Sequence, residues 1–215
     1  MPSRDRDTDP STEILLAEHE RLSALFLYNS DLGEKRTAAY LTVVSLAGAG
    51  ILGLSQLNTD QSTVLEINMA ILAGIFLLGF ITFLRLVERR IRNTEYLRAI
   101  NRIHAYFANN DATLVNYFSW PVHDDYPKFS GSISDFTALR DIIAIMNAVS
   151  FGVMFALFMH LLTPEPRSIS TGMLVVSTAL GLSVLAAHMV IETVILRRAE
   201  RRSRANIRFP QHAQD

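Results

Sequence analysis

No cysteine occurs among the 215 residues, so disulfide scaffolds, thiol catalysis, zinc–cysteine sites and iron–sulfur clusters are excluded. Charge is also missing, and in a pattern. Four stretches, Thr37–Leu57, Val64–Leu84, Ile142–Leu162 and Thr171–Leu196, hold only two charged side chains, Glu66 and Glu192, out of 41 in the chain. A water-soluble helix bundle spreads charge over every outer face, so this segregation points to lipid. Glycine and proline are absent between Phe80 and Asn109, which removes the commonest helix punctuation over that interval. No nucleophile motif, phosphate loop, zinc-protease helix or kinase signature occurs, and the expectation is a protein that is not an enzyme and needs no cofactor. With a net charge of −1 and no aromatic residue within the terminal arginine cluster before Phe209, nucleic acid is not an expected partner.

What is present fits a membrane. Crossing ~30 Å of hydrocarbon takes about 20 helical residues. Three of the stretches are 21 residues long and the fourth is 26, and none alternates with a period of two. The expected fold is all-α, with four transmembrane helices in two hairpins and a helical cytoplasmic extension. Nineteen of the 20 Lys and Arg residues fall outside the short connections 58–63 and 163–170, Arg167 being the exception. The positive-inside rule then places both termini and the central segment in the cytoplasm of an inner (plasma) membrane, crossed several times. The polar start reads as uncleaved, and most of the arginines read as topology signals meeting anionic headgroups.

The expected organisation is a tail and amphipathic helix over 1–35, a first hairpin over 36–84, a stem and aromatic-rich loop over 85–140, a second hairpin over 141–196 and a basic tail over 197–215. Asp9 is the expected N-cap of the first helix, and Asn29–Glu34, with Asp31 and Glu34 as a capping box, is expected to break it. Tyr96, Ile100, Ile103 and Phe107 recur at three- and four-residue spacing on the stem and, with Trp120 of the loop, are candidates for docking a partner. Ser132 and Asp135 are expected to start the helix into the third span. The pattern L-R-x-x-E-R-R-x-R occurs at Leu84–Arg92 and again at Leu196–Arg204, which suggests either two related hairpins or two helices that merely exit into basic segments.

His188 and Glu192 are four apart on one face of the fourth span, the first place to look for function, because an ionisable group at that depth is costly unless used. Two readings stand side by side: a water-filled vestibule or an ion pair of Glu192 with Arg85, or a Glu192 near enough to the interface to reach water and Arg197, which leaves His188 as an interhelical hydrogen-bond donor. Glu66 is a candidate for a pore mouth or an ordinary interfacial residue, and Asn147 a candidate interhelical hydrogen-bonding group. Small residues mark packing faces: Ser45, Ala49 and Gly53; Ala70 and Gly74; Ser177 and Gly181. His123-Asp124-Asp125 reads as a turn rather than a metal site.

In outline this layout is similar to small bacterial membrane effectors that associate through their spans. The leading expectation is a self-associating channel or pore-like effector gated through its cytoplasmic part, with the lipid bilayer, a second copy and a cytoplasmic protein or small-molecule regulator as partners. The alternatives are a membrane-anchored scaffold or signalling module, and a small transporter.

Overall fold

A computed structural model describes residues 10–56, 60–118, 122–129, 139–163 and 170–210. Asp9, Trp120, Ser132 and Asp135, to which the sequence assigns roles, lie outside them. Among the described residues there are helices and no strands: α1 (Pro10–Leu54), α2 (Gln61–Asn110), α3 (Leu139–Leu161) and α4 (Thr171–Ser203), with short 3-10 turns at Ala112–Tyr117 and Arg204–Asn206. All four helices are long and apolar enough to cross a membrane.

Local chemistry explains several of these boundaries. Asp60 accepts from the Thr63 amide at 3.3 Å and from the Ser62 hydroxyl, capping α2. Ser170 Oγ accepts from the Met173 amide at 3.2 Å and caps α4. Asp111, directly after the last residue of α2, accepts from the Thr113 amide at 3.0 Å and turns the chain into the first 3-10 segment.

The expected break at Asn29–Glu34 does not occur, and α1 runs through it without interruption. The polar residues there are used across the helices instead of as caps. Asn29 Nδ2 donates to Asn93 Oδ1 at 2.6 Å, Asn93 Nδ2 donates to Ser30 Oγ at 3.1 Å, and an Arg89 guanidinium N–H reaches the Asn29 carbonyl at 3.1 Å. Side chains that bond sideways to a second helix do not compete with the first helix's own backbone.

The chain divides into two compact units, one made of Met1–Leu32, Arg89–Ser130 and Arg197–Asp215, the other of Gly33–Glu88 and Gly131–Leu196. In the first unit α1 lies antiparallel on α2, with Asn29 against Asn93 and His19 against His104. Ile103 is buried and Tyr96, Ile100 and Phe107 are half-buried, so the stem's apolar stripe is largely covered within the chain. In the second unit, Leu72, Ile75, Phe83 and Val87 of α2 and Ile143, Ala144, Ala148 and Ala156 of α3 are buried, one face of each helix. Here α3 and α4 cross at glycine. A Cβ on Gly152 would stand 3.0 Å from the Ser177 carbonyl oxygen, and one on Gly181 would stand 2.9 Å from that of Ala148. Only glycine allows backbones this close.

Candidate functional site

The deepest polar group of the second unit is built by three helices. Tyr40 of α1, Asn147 of α3 and His188 of α4 are all buried. Tyr40 Oη lies 3.2 Å from Asn147 Oδ1, and Asn147 Nδ2 lies 3.1 Å from His188 Nε2. His188 Nδ1 sits 2.8 Å from the Val184 carbonyl, one helical turn back. The fourth helix supplies the space. A Cβ at Gly79 of α2 would collide with Asn147 Oδ1 and come within 2.7 Å of Tyr40 Oη. Phe83 and Phe80, also on α2, meet the His188 ring near-perpendicularly, with centroids 4.7 and 5.7 Å away. A polar group in an apolar interior is tolerated when its bonds are made there, as they are in this row.

One turn beyond His188, Glu192 approaches Arg140 of α3, with Oε1 2.8 Å from Nε, and Asp141 Oδ1 lies 3.4 Å from the same nitrogen. The Nε–H does not point along either line, so the contact is ionic rather than a directed hydrogen bond. This corrects the expected pairing of Glu192 with Arg85. Arg85 is exposed and faces Glu88 on its own helix at 3.5 Å. Arg85 and Glu88 are three positions apart on one helix, so the pair meets without tertiary structure, whereas Arg140 reaches Glu192 only because α3 and α4 cross. Between the ion pair and the triad lies a cavity of about 20 Å³, bounded by Phe83, Asp141, His188 and Glu192 among others.

The remaining residues singled out in the sequence fall in three settings. Ser177 and Gly181 are buried at the α3–α4 crossing, where they meet Gly152 and Ala148, neither of which the sequence reading had named. Ser45, Ala49, Gly53, Ala70 and Gly74 are exposed, and Gly53 and Gly74 have nothing within 4 Å of a Cβ position. Glu66 is exposed, at the start of α2. Asn68 and His160 are buried, and Asn68 Oδ1 and His160 Nδ1 lack a hydrogen-bond partner.

A second polar centre lies in the first unit, among residues far apart in the chain that no local sequence pattern links. Arg98 of α2, 3% exposed, donates to the carbonyls of Pro127 (2.9 Å) and Asp125 (3.1 Å), to Ser203 Oγ (3.0 Å) and to both oxygens of Glu200. Its guanidinium also lies 4.5 Å from the centre of the Phe129 ring. Beside it the buried Asp124 accepts from the amides of Arg208 and Phe209 and from Arg102. Burial pushes the Asp124 carboxyl up, but those two amides and the Arg102 guanidinium outweigh it and hold the group below its usual range. Arg98 is not among the arginines free to meet headgroups, since its bonds are all internal. His123-Asp124-Asp125 does form a turn, and its aspartate is the anchor for the C-terminal strip.

His19 and His104 also meet, with their Nε2 atoms 3.2 Å apart, and His104 stacks on Phe118 at 4.5 Å. Burial first, and the neighbouring His19 second, lower the His104 pKa. The folded state therefore holds fewer protons than the unfolded state just below neutrality. This contribution is complete above the ordinary histidine value of about 6.5 and is lost as pH falls through the lower folded value. Acidification should loosen α1 from α2 in this unit. His104→Phe, which keeps the stack, should flatten that pH dependence of amide exchange around residues 16–22 and 100–107.

No group of three or more metal-ligating side chains occurs among the described residues. No protein-family model, no curated protein and no solved structure matches the chain.

Proposed function

We propose that the protein is a multi-pass integral protein of the inner membrane, with both termini and the stem in the cytoplasm, that associates with copies of itself and acts as a channel-like effector. The observation that carries this reading is the state of α1. In its most apolar window 11% of residues are buried, against 33% for α2 and 39% for α3. Its Ser45, Ala49 and Gly53 form a ridge exposed along one side, and Thr42 and Ser45 satisfy their own hydroxyls on the carbonyls of Ala38 and Leu41. A ridge of small residues lets backbones approach in lipid, where packing rather than water expulsion drives association. In the second unit the cavity beside the hydrogen-bonded row measures about 20 Å³, and the larger grooves, about 330 and 370 Å³, are lined mostly by apolar side chains, so a conducting path would run between copies. Arginine placement supports the orientation.

Two measurements test this. Ala49→Leu with Gly53→Leu should lower the oligomeric state in detergent while the helical content is kept. The same pair should abolish ion flux in liposomes that the unaltered protein renders leaky. A protein that is monomeric and electrically silent in both forms would sink the reading. It would leave the anchored module as the alternative, supported by the exposed Leu27, Tyr28 and Tyr117 of the first unit.

A further inference from the structure

We propose that Tyr40, Asn147 and His188 form an intramembrane proton-binding site, filled from the basic end of α4 through the cavity between His188 and Glu192. The inference rests on the helices standing in a bilayer, as proposed above, and not on copies associating.

The hydrogen-bond directions carry it. The Val184 carbonyl can only accept, so His188 Nδ1 bears a hydrogen in every state. In the neutral form Nε2 keeps its lone pair and accepts from Asn147 Nδ2, while Tyr40 donates to Asn147 Oδ1. When Nε2 takes a proton it must donate. A half-turn of the Asn147 amide about Cβ–Cγ then presents Oδ1 to His188 and Nδ2 to Tyr40, whose hydroxyl changes from donor to acceptor. The same three side chains serve both protonation states in place. An aliphatic residue at 147 would serve neither.

The surroundings suit proton entry. The groups around His188 are Phe80 and Phe83 from α2, Asn147 and Asp141 from α3, and Glu192 from α4, with Tyr40 of α1 behind Asn147 and Arg140 behind the carboxylates. A water molecule needs a cavity of roughly 10–15 Å³ and polar partners, and the cavity of about 20 Å³ offers the Asp141 and Glu192 carboxylates beside the His188 ring. The step is a proton transfer alone. The turn of the Asn147 amide first frees the single Nε2 lone pair that Nδ2 occupies; Nε2 then takes a proton from a water, that water regains one from the solution by way of the Glu192 or Asp141 carboxylate, and the net result is uptake of one proton and one positive charge.

The test is nitrogen NMR of histidine-labelled full-length protein in lipid nanodiscs, from about pH 8 to about pH 5, an interval that brackets ordinary histidine. The His188 signal is assigned by its loss in His188→Gln. The expected result is the Nδ1–H neutral form at the alkaline end and the doubly protonated form at the acid end. Glu192→Gln should lower the proton affinity about tenfold, one pH unit. Asn147→Leu should lower it at least as far, and Tyr40→Phe serves in its place should Asn147→Leu not fold. A His188 ring that stays neutral across the interval, or one that titrates identically in Glu192→Gln and Tyr40→Phe, overturns the proposal. Failure of the bilayer reading is separate, because it would show as a protein that stays in solution without lipid or detergent.

Discussion

Arg98→Met should unfasten the first unit and leave the second intact. The substitution keeps length and apolar stem but removes the cation that the Glu200 carboxylate meets at 3.1 Å and the donors that serve the carbonyls of Asp125 and Pro127. Glu200 is mostly covered and also accepts from the Phe129 amide, so its charge has little solvent to fall back on. Breaking a buried pair from one side costs about 3–5 kcal/mol, because the remaining charge is left to be desolvated alone. Arg98→Lys should recover part of this, since an ammonium restores the charge but not the planar fork that reaches several acceptors at once. Hydrogen exchange would read the effect, with amides of residues 122–129 and 204–209 losing protection while those around Asn147 and His188 keep theirs. Uniform loss across both regions would show that Arg98 supports the whole molecule and not this centre. The same centre should be acid-labile. The lowered Asp124 pKa means that its contribution is complete above the ordinary carboxylate value of about 3.9 and disappears as pH falls through the lower folded value.

Arg98 also shows where sequence reading stops. Charge depletion marks the helices because lipid and water partition residues by type, a property of each segment alone. The continuation of α2 to Asn110 follows equally from local chemistry, the absence of any breaker before Asn109. Partner choice is different, since it depends on which residues distant in the chain come together. Arg98 meets Glu200 across 102 positions and Asn147 meets His188 across 41, and no local pattern carries those separations. The repeated L-R-x-x-E-R-R-x-R makes the point sharply. Its first glutamate, Glu88, faces Arg85 on an exposed helix surface, while its second, Glu200, is drawn into the Arg98 centre. Identical local sequence therefore serves two purposes. Small residues behave likewise. Gly181 and Gly53 sit in similar patterns, yet one lies against the Ala148 backbone and the other faces open space. Gly79 carries no pattern, and only the Asn147 amide and the Tyr40 hydroxyl beside it explain why nothing larger fits.

Arg140→Leu should be the most damaging single change in the second unit, and its partner substitution should reverse most of the damage. Arg140 brings one cation to two carboxylates, Glu192 at 2.8 Å and Asp141 at 3.4 Å, with all three side chains less than one-fifth exposed. Removing Arg140 takes a cation away from two mostly covered carboxylates at once, a loss on the order of 3–5 kcal/mol. Glu192→Leu alone should cost less, because Arg140 keeps Asp141. With both changes the carboxylate that needed the cation is gone as well, and replacing a buried pair by apolar residues of similar size is often close to neutral. Thermal unfolding in detergent would complete the cycle, and a double variant no more stable than Arg140→Leu would show that the pair is not the source of the effect. Arg85→Leu is the matched control. Its exposed contact with Glu88 belongs to the class of surface pairs worth about 0–1 kcal/mol, so it should leave the unfolding temperature nearly unmoved. A large loss there would return Arg85 to the role that the crossing of α3 and α4 gives to Arg140.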